Sequence, residues 1–245
     1  IYYLTETEHR ISKLIVAAFF LGLAILTKGP VALLIFILTF IVYLFFARFQ
    51  IKTSVKHVLI FSAVLAFTGG FWFILQILSG NFNIIKDFII YQIRLFKTED
   101  AGHGGFLFYH FLVLFIGVFP ASAFAIFSFF KPDKDFSGDK TFSRWMQILF
   151  FVVLILFTIV NTKIVHYSSM CYFPLTFIAS VTIRKISSGE LHAGRLLRYI
   201  LGIISVLFGL LIIMVSLTDI LKTKIIAKGW IKDEFTLGNL QADAN

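Results

Sequence analysis

The chain has 245 residues, of which 59% are apolar, 18% aromatic and only 14% charged, and its formal net charge is +9. Soluble domains carry roughly 25% charged residues, so this composition excludes a disordered or fibrous chain, argues against a soluble domain and predicts a membrane protein. No nucleic acid is expected as a partner, because basic residues accumulate in the cytoplasmic loops of multi-spanning proteins for topological reasons.

Apolar runs along the chain predict an all-α bundle of about seven transmembrane helices. Each run is long enough to cross about 30 Å of hydrocarbon, which takes about 17 to 25 helical residues. Pro120 and Pro174 lie inside predicted spans, where proline is expected to kink a helix. The spans form a transmembrane domain over 1–217, and a tail follows over 218–245. The predicted spans are 11–27, 31–47, 58–78, 106–130, 145–161, 167–183 and 199–217.

The loops between the spans predict the orientation of the chain. Thirteen of the 22 Lys and Arg residues are predicted on the same side of the membrane as the N-terminal residues, whereas the loops on the opposite side hold only five. The positive-inside rule therefore places the N-terminus in the cytoplasm and the C-terminal tail outside. No Asp, Glu, Lys or Arg lies near the centre of a predicted span, which disfavours an ion-coupled transporter because such proteins usually place ionisable groups there.

The predicted outer loop over 79–105 holds the most informative pattern. Its mixture of aromatic and charged residues predicts an amphipathic helix at the membrane interface, followed by a turn. If 86–97 is helical, Lys86, Arg94 and Lys97 lie along one flank and form a strip that can face an anion.

Glycines surround His103 in the string Ala101-Gly102-His103-Gly104-Gly105. Glycine allows backbone amides to approach a ligand closely, and imidazole can donate to a phosphate, bind a metal or transfer a proton. The alternative is a flexible glycine loop that carries an exposed histidine. One histidine does not define a metal site, since zinc takes several protein ligands.

Further polar side chains lie at the outer ends of the predicted helices. Lys28, in the turn with Gly29 and Pro30, can pair with a lipid phosphate or only reach to the interface as a snorkelling lysine. The aromatic residues among them are also typical of an interfacial belt. The others are Tyr109, His110, Lys163, His166 and Tyr167.

Several strings, in this order, resemble the bacterial aminoarabinose transferase and protein O-mannosyltransferase superfamily, whose members are multi-spanning GT-C glycosyltransferases. The resemblance runs from about residue 14 to about residue 185 and matches the later part of that family's membrane domain. It is carried by Gly22 to Pro30, Tyr91 to Phe96, Ala101 to Gly105, Phe119 to Ser122, and Lys163 to Tyr167 with Pro174-Leu175.

The resemblance implies a polyprenyl-phosphate-linked sugar as donor, bound at the outer face of the bacterial cytoplasmic (inner) membrane. The sugar would be transferred to a lipid, glycan or protein acceptor of the cell envelope. A divalent metal near the lipid phosphate is implied as an option, with His103 as its candidate ligand. The resemblance implies that Lys28, Arg94, His103, Lys163 and Tyr167 line the cavity that binds the donor phosphate. Tyr109 and His166 are added as candidates because they are predicted to lie at the same face.

The acidic residue proposed as the general base of this superfamily lies in a first outer loop, which would precede Ile1. No catalytic residue is therefore assigned, and the chain alone is expected to be inactive. Two alternatives remain open at this point. One is a flippase or transporter of polyprenyl lipids, which would use the same cations, and the other is a non-catalytic membrane subunit.

Overall fold

The computed structural model describes residues 11–49, 54–97, 105–130, 140–228 and 238. Every regular element within those ranges is helical, which agrees with the predicted all-α class. The chain divides into two compact units, 1–192 and 193–245. The helices are α1 (Ile11–Lys28), α2 (Pro30–Phe46), α3 (Val55–Leu78), α4 (Phe82–Lys97), α5 (Tyr109–Gly117), α6 (Ala121–Phe130), α7 (Lys140–Ile159), a 3₁₀ segment (Val165–Cys171), α8 (Tyr172–Ser187) and α9 (Arg195–Ala227).

Four helices of the described part are long and apolar enough to cross a membrane, or five if the bent pair α5 and α6 is one span. The four are α1, α3, α7 and α9. The predicted count of seven is not confirmed. The helix α2, with 17 residues, falls just short in length, and α8 has only 16 residues.

The span predicted over 106–130 is broken near Pro120, where a kink was expected. Two short helices, α5 and α6, meet there at an angle of 120°. Pro120, which lies in the break, has no amide hydrogen and cannot continue the hydrogen-bond ladder of α5. The hydroxyl of Ser122 donates to the carbonyl of Phe115 at 2.7 Å and so satisfies an acceptor at the end of α5.

The predicted span over 167–183 begins differently from the expectation. Its first residues form the 3₁₀ segment, and α8 starts only at Tyr172. Pro174 therefore lies in the first turn of α8, where the amide groups have no partner within the helix in any case. This position explains why α8 starts next to Pro174 instead of being kinked by it.

Small residues bring α1 and α3 close together. Gly22 is buried on α1, and a Cβ atom built there would lie 2.6 Å from Thr68 Cβ and 2.9 Å from the backbone nitrogen of Gly69. Helices in a membrane associate through such close backbone approach, because lipid provides no hydrophobic drive between apolar surfaces.

We expect Gly22→Ala to lower the free energy of unfolding by about 1–3 kcal/mol, because the added methyl forces the two backbones apart. Gly70→Ala is the matched control, since its new Cβ would find its nearest neighbour, Ile74 Cδ1, at 3.9 Å. Helix propensity makes that control neutral or slightly stabilising. Thermal unfolding in detergent, followed by circular dichroism, checks the pair. Equal melting temperatures for the two variants would contradict the close packing.

The helices α2 and α7 run antiparallel. Near one end, the rings of Tyr43 and Trp145 stack with centroids 3.7 Å apart. Ile35, towards the start of α2, belongs to the hydrophobic cluster that contains Val153 and Val160, towards the end of α7. The start of α2 and the end of α7 therefore share one end of the first unit, which we call the Lys28 end.

The second unit consists, in its described part, mainly of the 33-residue helix α9. Its apolar residues are exposed along most of its length; examples are Ile203, Leu210 and Met214. A helix that is apolar around its whole circumference is typical of a membrane span. It continues to Ala227, past the predicted end of the last span at residue 217.

Candidate functional site

Gly29 makes the turn that holds Lys28. Lys28 is the last residue of α1, and Pro30 is the first of α2. Gly29 between them has φ 70° and ψ −159°, a conformation essentially restricted to glycine. Its amide donates to the carbonyl of Ile25 at 2.8 Å and closes the end of α1. The sharp turn leaves the side chain of Lys28 exposed.

The helix α4 packs against this turn, and the helix predicted within 86–97 is confirmed. A Cβ atom at Gly29 would lie 3.2 Å from Phe88 Cζ and 3.7 Å from Gln92 Oε1. The ring of Phe88 also contacts Trp72 and Phe73 of α3, with centroid distances of 5.5 and 5.8 Å. These contacts fix α4 next to the Lys28 turn.

Arg94 is exposed on α4, and its guanidinium carbon lies 5.1 Å from the ring centroid of Tyr91. This distance is within the range of a cation–π interaction. Two residues along a helix correspond to about 200° of rotation, so Arg94 projects from a different face of α4 than Gln92. The structure therefore brings the Lys28 turn against α4, but it does not place Arg94 on the face that meets the turn.

Lys163 closes the end of α7. Its ammonium donates three hydrogen bonds to backbone carbonyls, to Thr158 and Val160 at 2.7 Å each and to Phe157 at 3.1 Å. Only 6% of the residue is exposed. Burial lowers the pKa of this ammonium, whereas its three carbonyl acceptors favour the charged form.

These bonds satisfy carbonyls that have no partner within the helix at its C-terminus, where a cation also interacts favourably with the helix dipole. All three N–H groups of Lys163 are used within the protein. A direct contact of Lys163 with a phosphate stays a prediction.

The end of the glycine-rich string packs directly on Lys163. A Cβ atom at Gly105 would lie 2.9 Å from Lys163 Cγ and 3.4 Å from Tyr109 Cδ2. Only glycine fits this contact without displacing the lysine stem. The structure thus joins two strings that lie far apart in the sequence, the glycine-rich string and the turn at 161–167. His103 itself lies outside the described residues.

A row of aromatic rings connects the remaining predicted site residues. The ring of His110 lies edge-on to that of Tyr109 at 5.1 Å and tilted to that of Phe157 at 6.1 Å. Phe157 contacts Tyr167 at 5.2 Å, and Tyr167 contacts His166 at 5.1 Å. We call this group the aromatic cluster and include Lys163 in it, because its ammonium bonds to the Phe157 carbonyl. Its members are Tyr109, His110, Phe157, Lys163, His166 and Tyr167.

The aromatic cluster and the Lys28 turn lie at the same end of the first unit. Val31, one residue after the turn, packs against the hydrophobic cluster that includes Phe157 and Val160. The sequence analysis expected Lys28, Tyr109 and the 161–167 turn at one face from the alternation of seven spans. That count is not confirmed, so their role as one site stays a prediction.

The burial of His110 was not predicted from the sequence. It is 0% exposed, and neither ring nitrogen has a hydrogen-bond partner among the described residues. Leu114, four residues later, is also buried, so the helical period marks this face of α5. That signal was available in the sequence but was hidden in a run where nearly every residue is apolar.

The described residues do not provide a metal site. Within the described ranges, no group of three or more His, Cys, Asp or Glu side chains lies close enough together to hold an ion. The metal predicted at His103 falls outside those ranges.

The chain is similar to the undecaprenyl phosphate-alpha-4-amino-4-deoxy-L-arabinose arabinosyl transferase of Wigglesworthia glossinidia brevipalpis. The two are 27% identical over 179 residues, which cover 73% of this chain and 32% of that protein. The matched region thus spans about a third of the length of the relative. No family model matches the chain, and no solved structure matches it.

Proposed function

We propose that the chain forms part of a membrane glycosyltransferase whose donor is a sugar linked to a polyprenyl phosphate. The similarity to a lipid-linked arabinosyl transferase over 73% of the chain carries this proposal. It is supported by helices of membrane length and by exposed cations on α1 and α4, which provide the charge that a lipid phosphate requires.

In this proposal the Lys28 end faces the outside of the bacterial cytoplasmic membrane, with the first residues of the chain inside and its last residues outside. The lipid tail of the donor lies along the exposed apolar helices, and its phosphate lies at the Lys28 turn. The acceptor is a lipid, glycan or protein that approaches from the same side.

The reaction is a direct displacement at the anomeric carbon of the sugar. An oxygen of the acceptor forms the new bond to that carbon, while the bond from the carbon to the phosphate oxygen breaks. The acceptor proton passes to a carboxylate that is not assigned to this chain. The departing polyprenyl phosphate gains negative charge, and Lys28 and Arg94 stabilise that charge in the transition state.

The other residues of the site have supporting roles in this proposal. Lys163 holds the end of α7 and the Gly105 contact in place, because its three N–H groups already have acceptors. Tyr109, His166 and Tyr167 line the volume in which the headgroup lies. His103, which lies outside the described residues, stays a candidate ligand of the headgroup.

Binding of a polyprenyl phosphate to the purified protein tests the proposal. We expect native mass spectrometry in detergent to show one bound undecaprenyl phosphate per chain, retained in preference to a phospholipid of similar charge. A diacyl phosphatidic acid at equal concentration is the control. Equal retention of the two lipids would contradict a donor site for a polyprenyl phosphate.

A further inference from the structure

His110 presents an unsatisfied polar group at the centre of the aromatic cluster. The imidazole is fully buried, and both of its nitrogens lack a hydrogen-bond partner within the part of the chain that the structure describes. Its contacts are ring contacts to Tyr109 and Phe157. A buried polar group without a partner is costly, and most such groups in native proteins are satisfied.

The two ring nitrogens of His110 limit which kind of ligand can form hydrogen bonds with them. A charged imidazole is costly to bury among aromatic rings, and the ammonium of Lys163 bonds to the carbonyl of Phe157, whose ring contacts His110. The neutral form offers one donor and one acceptor. A phosphate oxygen only accepts, whereas a sugar hydroxyl both donates and accepts. The neutral imidazole therefore matches a pair of sugar hydroxyls better than it matches a phosphate.

We propose that His110 binds hydroxyl groups of the sugar that the donor carries, while the cations of the Lys28 end bind its phosphate. This inference rests on the proposed function. It adds to the proposed donor site a residue that distinguishes the polyprenyl phosphate that carries a sugar from the polyprenyl phosphate without one. Contact with a sugar requires the covering side chains to shift. Tyr109 and Phe157 cover the imidazole by ring contacts, and no hydrogen bond of the imidazole has to break.

The test compares two probes, undecaprenyl phosphate and the same lipid carrying 4-amino-4-deoxy-L-arabinose. We expect wild-type protein to bind the glycosylated lipid more tightly, and His110→Leu to reduce that preference about 10-fold without changing the affinity for the bare lipid. His110→Gln, which keeps a polar group near Nε2, is expected to retain part of the preference. His192→Leu, at an exposed histidine, is the control and is expected to keep all of it.

Thermal unfolding separates this role from a structural one. No hydrogen bond to a described residue is lost in His110→Leu, so we expect its melting temperature to equal or exceed that of the wild type. A lower melting temperature with an unchanged sugar preference would overturn the inference. In ¹⁵N-histidine-labelled wild type, we expect the His110 nitrogens to shift with the glycosylated lipid and not with the bare one.

A failure of the sugar-binding role of His110 can be distinguished from a failure of the proposed function. If wild-type protein binds both lipids equally, His110 does not read the sugar, and the phosphate site of the proposed function still stands. If wild-type protein binds neither lipid, the proposed function fails and this inference fails with it.

Discussion

Lys163→Met is expected to lower the free energy of unfolding by about 3–5 kcal/mol, since buried carbonyls lose a charged donor and cost roughly 1–3 kcal/mol each when unsatisfied. The ammonium donates to Phe157, Thr158 and Val160. Methionine is similar in length and apolar, so the substitution removes the donors with little change in packing. The end of α7 and the contact with Gly105 are expected to loosen together.

Chemical unfolding in detergent measures this loss, and hydrogen exchange of the last turn of α7 locates it. Lys56→Met is the matched control, because Lys56 is exposed at the start of α3, and we expect it to change stability by less than about 0.5 kcal/mol. Lys163→Arg is expected to recover only part of the lost stability. Arginine keeps the charge, but its planar guanidinium cannot direct three N–H groups from one nitrogen. Equal stability of Lys163→Met and Lys56→Met would show that the hydrogen bonds of Lys163 to the end of α7 contribute nothing to the stability of the fold.

Lys28→Gln is expected to weaken binding of undecaprenyl phosphate about 10- to 100-fold, the range of one charge-assisted hydrogen bond. The lysine is exposed at a turn whose backbone is fixed by Gly29, so the substitution should leave the fold intact. Lys56→Gln, at an exposed lysine at the start of α3, is the charge-matched control and is expected to bind as the wild type does. Isothermal or mass-spectrometric titration measures both constants.

Arg94→Gln is the companion to this experiment. We expect a loss of about 10-fold, the lower end of the range for Lys28→Gln, because Arg94 is exposed on a face of α4 that does not meet the Lys28 turn. Lys28 and Arg94 would bind the same phosphate, so the loss in the double variant is expected to differ from the sum of the two single losses. If Arg94→Gln has no effect while Lys28→Gln does, the phosphate lies at the turn alone.

Long apolar runs predicted the positions of α1, α2, α3 and α7 to within a few residues, because membrane length and composition determine such helices directly. A kink at Pro120 was predicted from the proline, but its size was not, since the run from 106 to 130 stays apolar on both sides of the break. Hydropathy cannot distinguish a straight span from two short helices when both are apolar. The count of seven spans rested on that reasoning.

The candidate site was predicted as a set of residues but not as a set of contacts. The sequence identified Lys163 as a cation at a helix end, and it could not show that backbone carbonyls take all three of its N–H groups. That arrangement depends on how α7 ends and on which carbonyls point at the lysine. Likewise, the sequence paired His110 with Tyr109 but could not show that its nitrogens lack partners, because burial arises from contacts with α7.

Transfer of a radiolabelled sugar is the measurement that tests the central proposal most directly. The protein expressed from its complete reading frame would be assayed in native membranes with a polyprenyl-phosphate-linked sugar, as wild type, Lys28→Gln and Lys56→Gln. We predict transfer by the wild type and the Lys56 variant, and a loss of at least about 10-fold in the Lys28 variant. Binding of the lipid without any transfer, or transfer that does not depend on Lys28, would contradict the account.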